Sequence, residues 1–213
     1  MNEPNDLADD LATAEPVVFI IDDDEAVRDA LAALAEVAGL SVRTFANALE
    51  FLQRYNPTQP GCVVADLRMP YMDGLELQEE LSRRGHGLPI IIITAHGEVS
   101  SAVTAFRAGA VDFLEKPFDD RVFLRRIHEA LQCDAHQRRD RSAAAAALAK
   151  LNLLSPRERD VAELMVEGCA NKTIATRLGI SVRTVETHRA NILSKLDIRT
   201  LPELMRLWMH RLN

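Results

Sequence analysis

The stretch VVFIIDDDEAVRDAL, Val17 to Leu31, decides how the first half of the chain is built. Five apolar residues run without a break into Asp22, Asp23 and Asp24, and a helical pattern starts at once from Glu25. A short unbroken apolar run predicts a strand buried on both faces, as in a parallel sheet covered by helices. Three carboxylates aimed off the end of such a strand repel one another and are costly to desolvate. A chain that keeps them there needs something to neutralise them.

Similar runs follow at Cys62–Ala65 and Pro89–Ile93, with weaker ones at Ser41–Phe45 and Val111–Leu114. Helical patterns at Glu25–Ala38, Ala46–Tyr55, Leu75–Arg84, Val99–Ala108 and Asp119–Leu131 alternate with them, and Gly39 and Gly109 stand where two helices should stop. Five strands alternating with five helices predict an α/β fold with a doubly wound, flavodoxin-like parallel sheet.

In such a sheet ligands bind beyond the carboxyl ends of the strands. With strand order 2-1-3-4-5 the first and third strands are neighbours, so Asp22 and Asp23 converge with Asp66 in CVVADLRMP. Converging carboxylates suit Mg²⁺, a hard cation that takes oxygen ligands. Thr94 ends IIIITAHG, and Lys116 stands near the end of VDFLEKPF. A hydroxyl and an ammonium beside a carboxylate–cation site suit a phosphoryl group. An Asp carboxylate can serve as the nucleophile that forms an aspartyl-phosphate. Each residue alone has a plainer reading: Asp24 and Thr94 as helix caps, Lys116 as a surface charge. All four strand ends carrying matching chemistry is much harder to explain that way.

Charge divides the chain. Residues 1–135 hold 11 basic and 24 acidic residues, net −13; residues 136–149 are net +2 and residues 150–213 net +4, within a total of −7 for 213 residues. An acidic front and a basic back point to two modules with different partners, the second a candidate for nucleic acid. The acidic start, residues 1–15, has no basic segment followed by an apolar core, and no run approaches the roughly 20 apolar residues of a membrane span. It reads as a disordered leader on a cytoplasmic protein. Three widely spaced cysteines make no disulfide framework, and the six histidines show no metal-ligand spacing.

Beyond Leu131 the Ala-rich run SAAAAALAK favours helix, although a loosely ordered hinge over 133–150 fits equally well. Residues 151–213 form a second module, all helical. Ser155-Pro156-Arg157-Glu158 has the form of a capping box with Pro at the first helical position. That helix runs to about Glu167 and stops at Gly168. A short helix, Asn171–Leu178, stops at Gly179, Ser181 caps a third to about Leu196, and a fourth follows Thr200. Two short helices joined by a tight glycine turn describe a helix-turn-helix. On the third helix Val185, Ile192, Leu193 and Leu196 gather on one side, with Arg183, Thr187, Ala190, Asn191 and Ser194 roughly opposite and Glu186 and His188 beside them. An apolar inner face and a small polar outer face suit a major-groove helix, although a solvated surface gives the same stripe. Thr184 and Lys195 complete the expected DNA-contact set on this helix, and Lys172 and Thr173, near a helix N-terminus, suit phosphate. The stem of Arg189 falls towards the packed side.

DDD after the first strand, then DLRMP, TA and EKPF, resemble the receiver domain of two-component response regulators over Pro16 to Gln132. LSPRERDVAELMVEGCANKTIATRLGISVRTVETHRANILSKL resembles the LuxR-type helix-turn-helix over Leu154 to Leu207. Together they resemble the FixJ/NarL class, nearest its FixJ branch. The resemblance implies that Asp66 is the phosphoacceptor, and that Asp22, Asp23, Asp66 and the Arg68 carbonyl hold Mg²⁺. It also implies that Thr94, Lys116 and Phe113 form the switch and that the Lys116–Pro117 bond is cis. Val103, Arg107 and Asp112 would form a two-fold dimer interface. The implied partners are a sensor histidine kinase, promoter DNA and a second copy of the chain, with RNA polymerase as a further contact; no membrane is involved. Tyr71, in MPYMDG, reads as a surface residue rather than a shield for the pocket.

Two other functions fit parts of the pattern. A Mg²⁺-dependent phosphatase using Asp66 as nucleophile would want a general acid two residues on, where Arg68 stands. A receiver serving as a phosphate sink would want a tail that binds protein rather than DNA.

Overall fold

The computed structural model describes residues 14–85, 87–94 and 112–210, in two compact units divided between Gln137 and Arg138. In the first unit β1 (Val17–Ile21), β2 (Ser41–Phe45), β3 (Gly61–Asp66), β4 (Ile90–Thr94) and β5 (Asp112–Glu115) form one sheet in the order β2-β1-β3-β4-β5. Every neighbouring pair is parallel. Beside them lie α1 (Glu25–Val37), α2 (Ala48–Arg54), α3 (Gly74–Arg83) and the first part of α4 (Asp120–Leu151). The expected helix Val99–Ala108 and the first residue of the expected strand Val111–Leu114 lie outside the described residues.

Alternation along the strands splits the core in two. Val17, Phe19, Ile21, Val63, Ala65, Ile90 and Ile92 pack with Phe51 and Leu77 on one face. Val18, Ile20, Val64, Ile91 and Ile93 pack with Leu31, Phe123 and Ile127 on the other. β1 and β4 are therefore buried along their whole length, whereas edge strand β2 is mostly exposed, which is why its sequence signal is weak.

Caps set several boundaries a residue or two away from the periodic pattern. Asp24 accepts from the amides of Ala26 and Val27 and starts α1, the plainer of its two readings. Asn47 takes the Glu50 amide, so α2 begins at Ala48 rather than Ala46. Asp73 and Glu76 form a reciprocal capping box that starts α3 at Gly74 rather than Leu75. Gly74 must be glycine here, since a Cβ would come within 2.7 Å of the Asp66 carbonyl oxygen. Three strands run a residue beyond their expected ends, so Asp66 and Thr94 are themselves the last residues of β3 and β4.

The stretch left open between helix and hinge is helix. Residues 120–151 form a single element in which Asp119–Leu131 and the Ala-rich run are continuous.

The second unit holds α5 (Pro156–Val166), α6 (Asn171–Leu178), α7 (Val182–Leu196) and α8 (Leu201–His210). Leu151, Leu154, Val161, Met165, Ile174, Val185, Ile192, Leu196, Leu204 and Trp208 make its core. The Ser155–Glu158 capping box forms with Pro156 in the first turn, Gly179 ends α6 in the left-handed conformation at φ 65°, and Ser181 caps α7.

Candidate functional site

Parallel pairing puts the ends of β1, β3, β4 and β5 on one edge of the sheet. The Lys116 backbone N–H donates to the Thr94 carbonyl at 2.7 Å, which fixes Lys116 next to β4. Its ammonium then reaches back across the edge and donates to Asp66 Oδ1 at 2.9 Å and Asp22 Oδ2 at 3.0 Å. The second oxygen of Asp66 accepts from the Arg68 amide at 2.8 Å. Asp22 is held from both sides: its Oδ1 accepts from the Asp24 amide, and its carbonyl accepts from the Arg28 guanidinium at 2.8 Å. The Lys116–Pro117 bond is cis, as the resemblance implied.

Asp22 is 3% exposed, and burial pushes its carboxyl above the ordinary range despite the Lys116 and Asp24 hydrogen bonds; the Asp66 charge adds to the rise. For Lys116 burial pulls the other way, but the bonds from Asp66 and Asp22 outweigh it and the ammonium is held more firmly than usual. Among the described residues no three His, Cys, Asp or Glu side chains stand gathered to hold a metal ion, two of the carboxylates here being turned onto Lys116. The donor chemistry nonetheless fits Mg²⁺. Only carboxylate and carbonyl oxygens are on offer, and three carboxylates against one ammonium leave negative charge in excess. This cation keeps several waters and needs only one or two carboxylates.

Asp23 is exposed beside Asp22, Thr94 is buried, and Phe113 is half-buried against the Phe19 side of the core. Tyr71 is 86% exposed, on the surface, with a left-handed backbone at φ 73°. Of the expected dimer residues, Val103 and Arg107 lie outside the described residues, and the backbone of Asp112 opens β5. Arg28 was not singled out from the sequence. A signal existed, because a cation in the first turn of a helix opposes the helix dipole and invites a search for an anionic partner.

On α7, Val185, Ile192 and Leu196 are buried, Leu193, His188 and Arg189 are half-buried, and Arg183, Glu186, Thr187, Ala190, Asn191 and Ser194 are exposed. On α6, Lys172 and Thr173 face outward while Ile174 and Ala175 are buried. Three expected DNA contacts have protein partners, Thr187 through the Arg183 carbonyl and two others through side chains. The Thr184 hydroxyl pairs with Ser181 at 2.8 Å, and Lys195 donates to the buried Glu158 at 2.7 Å, tying the end of α7 to the start of α5.

The Lys195 hydrogen bond, then that of the Ser155 amide, hold the Glu158 carboxyl down at about 2, against an ordinary 4.5. A depressed carboxyl stabilises the fold above its ordinary pKa, and that contribution is lost as pH falls towards the folded value. Replacing Glu158 by Gln is therefore expected to lower stability by about 1–2 kcal/mol at neutral pH. The gap from wild type should close between about pH 4.5 and about pH 2. Urea midpoints of both proteins across this range check it; a gap that stays constant would remove the ion pair from the account.

Residues 18–128 match the response regulator receiver domain, and residues 152–208 match the bacterial regulatory proteins of the luxR family. The transcriptional regulatory protein FixJ of Azorhizobium caulinodans is 47% identical over 89% of this chain and 90% of its own length. The response regulator protein TodT of Pseudomonas putida is 40% identical over 89% and 84%. Among solved structures, the response regulator StyR superposes with a TM-score of 0.80 at 43% identity, over 92% of this chain and 99% of that one. Full-length FixJ from B. japonicum gives 0.57 at 40% identity, over 93% and 98%. No helix among the described residues is long and apolar enough to cross a membrane. With a receiver domain at one end and a LuxR-type DNA-binding domain at the other, the chain belongs to the FixJ-like response regulators, which act as transcription regulators.

Proposed function

We propose that Asp66 accepts a phosphoryl group from a sensor histidine kinase, that the modified receiver dimerises, and that the dimer binds promoter DNA through α6 and α7, where RNA polymerase is its further contact. The observation that carries the first step is the Lys116 ammonium shared between Asp66 and Asp22 at the carboxyl edge of the sheet. An oxygen of the Asp66 carboxylate attacks phosphorus, the phosphorus–nitrogen bond of the donor phosphohistidine breaks, and the imidazole leaves with the bond's electron pair. Lys116 neutralises the transferred oxygens, and the Arg68 amide orients the carboxylate. Mg²⁺, held by Asp22, Asp23, Asp66 and the Arg68 carbonyl, would supply further neutralisation of the phosphoryl charge. Catalysis in this reading is confined to the chain's own Asp66. What Arg68 offers that carboxylate is a backbone N–H, not the general acid that a phosphatase would need there.

Thr94 then donates to the phosphate, Phe113 turns into the space released, and the dimer surface of Val103, Arg107 and Asp112 forms. A two-fold dimer would set two copies of α7 on inverted half-sites about 10 base pairs apart. Two tethered weak contacts bind far more tightly than one. Acetyl phosphate with and without Mg²⁺ tests the chemistry, and Asp23→Ala should abolish labelling. Sedimentation with and without beryllofluoride, for wild type and Arg107→Glu, tests assembly. A wild-type protein that stays monomeric yet gains full promoter affinity would refute dimerisation as the switch.

A further inference from the structure

We infer that Asp134 is a buried clamp that holds the long helix α4 on the sheet beyond the receiver's apolar contacts and so fixes where the linker begins. The core-facing positions of this helix run Phe123, Ile127 and Ala130, each fully buried. The next position on that face is Asp134, 1% exposed. A leucine would suffice there for packing. The chain instead buries a carboxylate, which is costly unless it is hydrogen-bonded. Its Oδ2 accepts from the backbone amide of Gly61 at 2.9 Å, across 73 positions of sequence.

Gly61 cannot yield. It is the first residue of β3, paired with Val17, and a Cβ on it would stand 2.0 Å from the Val17 carbonyl oxygen. The amide that Asp134 grips is thus pinned to the sheet, and a helix that delivers a side chain to it must still be regular about four turns after its start. The neighbouring Cys62 thiol is held far above its ordinary range, by burial first and then by the nearness of Asp134. The receiver match ends at residue 128, six positions earlier, whereas the compact unit runs to Gln137. Asp134 is thus a feature of this chain outside the matched domain. It acts at the amino end of β3, the strand whose carboxyl end carries Asp66. Beyond Asp134 the helix reaches the basic stretch Arg138, Arg139 and Arg141 within about two turns.

The test uses the full-length protein and two readings: amide exchange at Gly61 by NMR, and the rate of tryptic cleavage after Arg138, Arg139 and Arg141. Asp134→Ala should speed Gly61 exchange by about tenfold or more, as expected when a buried donor loses its acceptor, and should speed cleavage in parallel. Asp134→Asn keeps an acceptor oxygen and should stay within about twofold of wild type on both readings, a difference too small for a lost buried bond. If Asp134→Ala does not fold, Asp134→Leu, which fills the space without an acceptor, takes its place in the comparison with Asp134→Asn. Wild-type exchange and cleavage in the variant lacking the acceptor would overturn the clamp. So would an asparagine variant released as fully as the alanine or leucine one.

Discussion

Asp66→Asn yields a protein that takes up no acid-labile phosphate from acetyl phosphate. The amide matches the carboxylate in shape, and its single oxygen can keep the bond from the Arg68 amide, so the loop keeps its form, while its NH2 takes the place of the oxygen that accepted from Lys116. What it lacks is a nucleophilic oxygen. Labelling should fall below about one hundredth of wild type, which corresponds to about 3 kcal/mol or more in the barrier. Stability should change by less than about 1 kcal/mol, because removing one negative charge relieves repulsion on the buried Asp22 while Lys116 loses one acceptor and keeps its bond to Asp22. Intact-mass measurement after a timed incubation, with thermal melting alongside, reads both quantities. Phosphate uptake to the wild-type extent in the variant would mean that another residue is the acceptor.

Arg183→Ala and Thr187→Ala should each weaken promoter binding by about 1–3 kcal/mol while leaving Asp66 labelling intact, as expected for lost base-edge contacts. Both residues stand exposed on the face of α7 opposite Val185, Ile192 and Leu196. The Thr187 hydroxyl donates to the Arg183 carbonyl at 3.0 Å, which leaves its methyl as the group suited to a thymine methyl. Because the two residues are neighbours on one turn, the double variant should lose less or more than the sum of the singles. Lys172→Ala should act differently, weakening all sequences alike and reducing the salt dependence by about one ion, as a phosphate contact does. Gel-shift affinity unchanged in both Arg183→Ala and Thr187→Ala would show that another face reads the DNA.

The sequence by itself determined the features that rest on neighbours close along the chain. Apolar run and period made the five strands legible, and the burial of β1, β3 and β4 with them, because alternation and helical spacing depend on residues two to four apart. Asp24, Ser155 with Glu158, Gly179 and Ser181 marked helix ends, because caps are bonds within one turn. Asn171–Leu178 was read to the residue, since a glycine closes one end of it and the helical pattern opens the other. The convergence of the candidate site residues was legible through the ends of four strands, because the strand order of a doubly wound sheet brings those ends to one edge.

Tertiary structure alone decided how charges are shared between distant segments. Lys116 stands 94 positions from Asp22 and 50 from Asp66, and only the closing of the sheet shows that one ammonium serves both. Lys195, expected at the DNA, was given a protein partner by Glu158, 37 positions away, once α5 and α7 packed. The Ala-rich run was compatible with helix or hinge, since propensity is a weak preference that surroundings override. Asp134 carries no local signal that sets it apart from the other charges of a polar helix. Its role rests on Gly61, and no pattern of near neighbours joins a helix to the first amide of a distant strand. Only the fold sets the two groups 2.9 Å apart, buried, where an amide left without an acceptor would be costly.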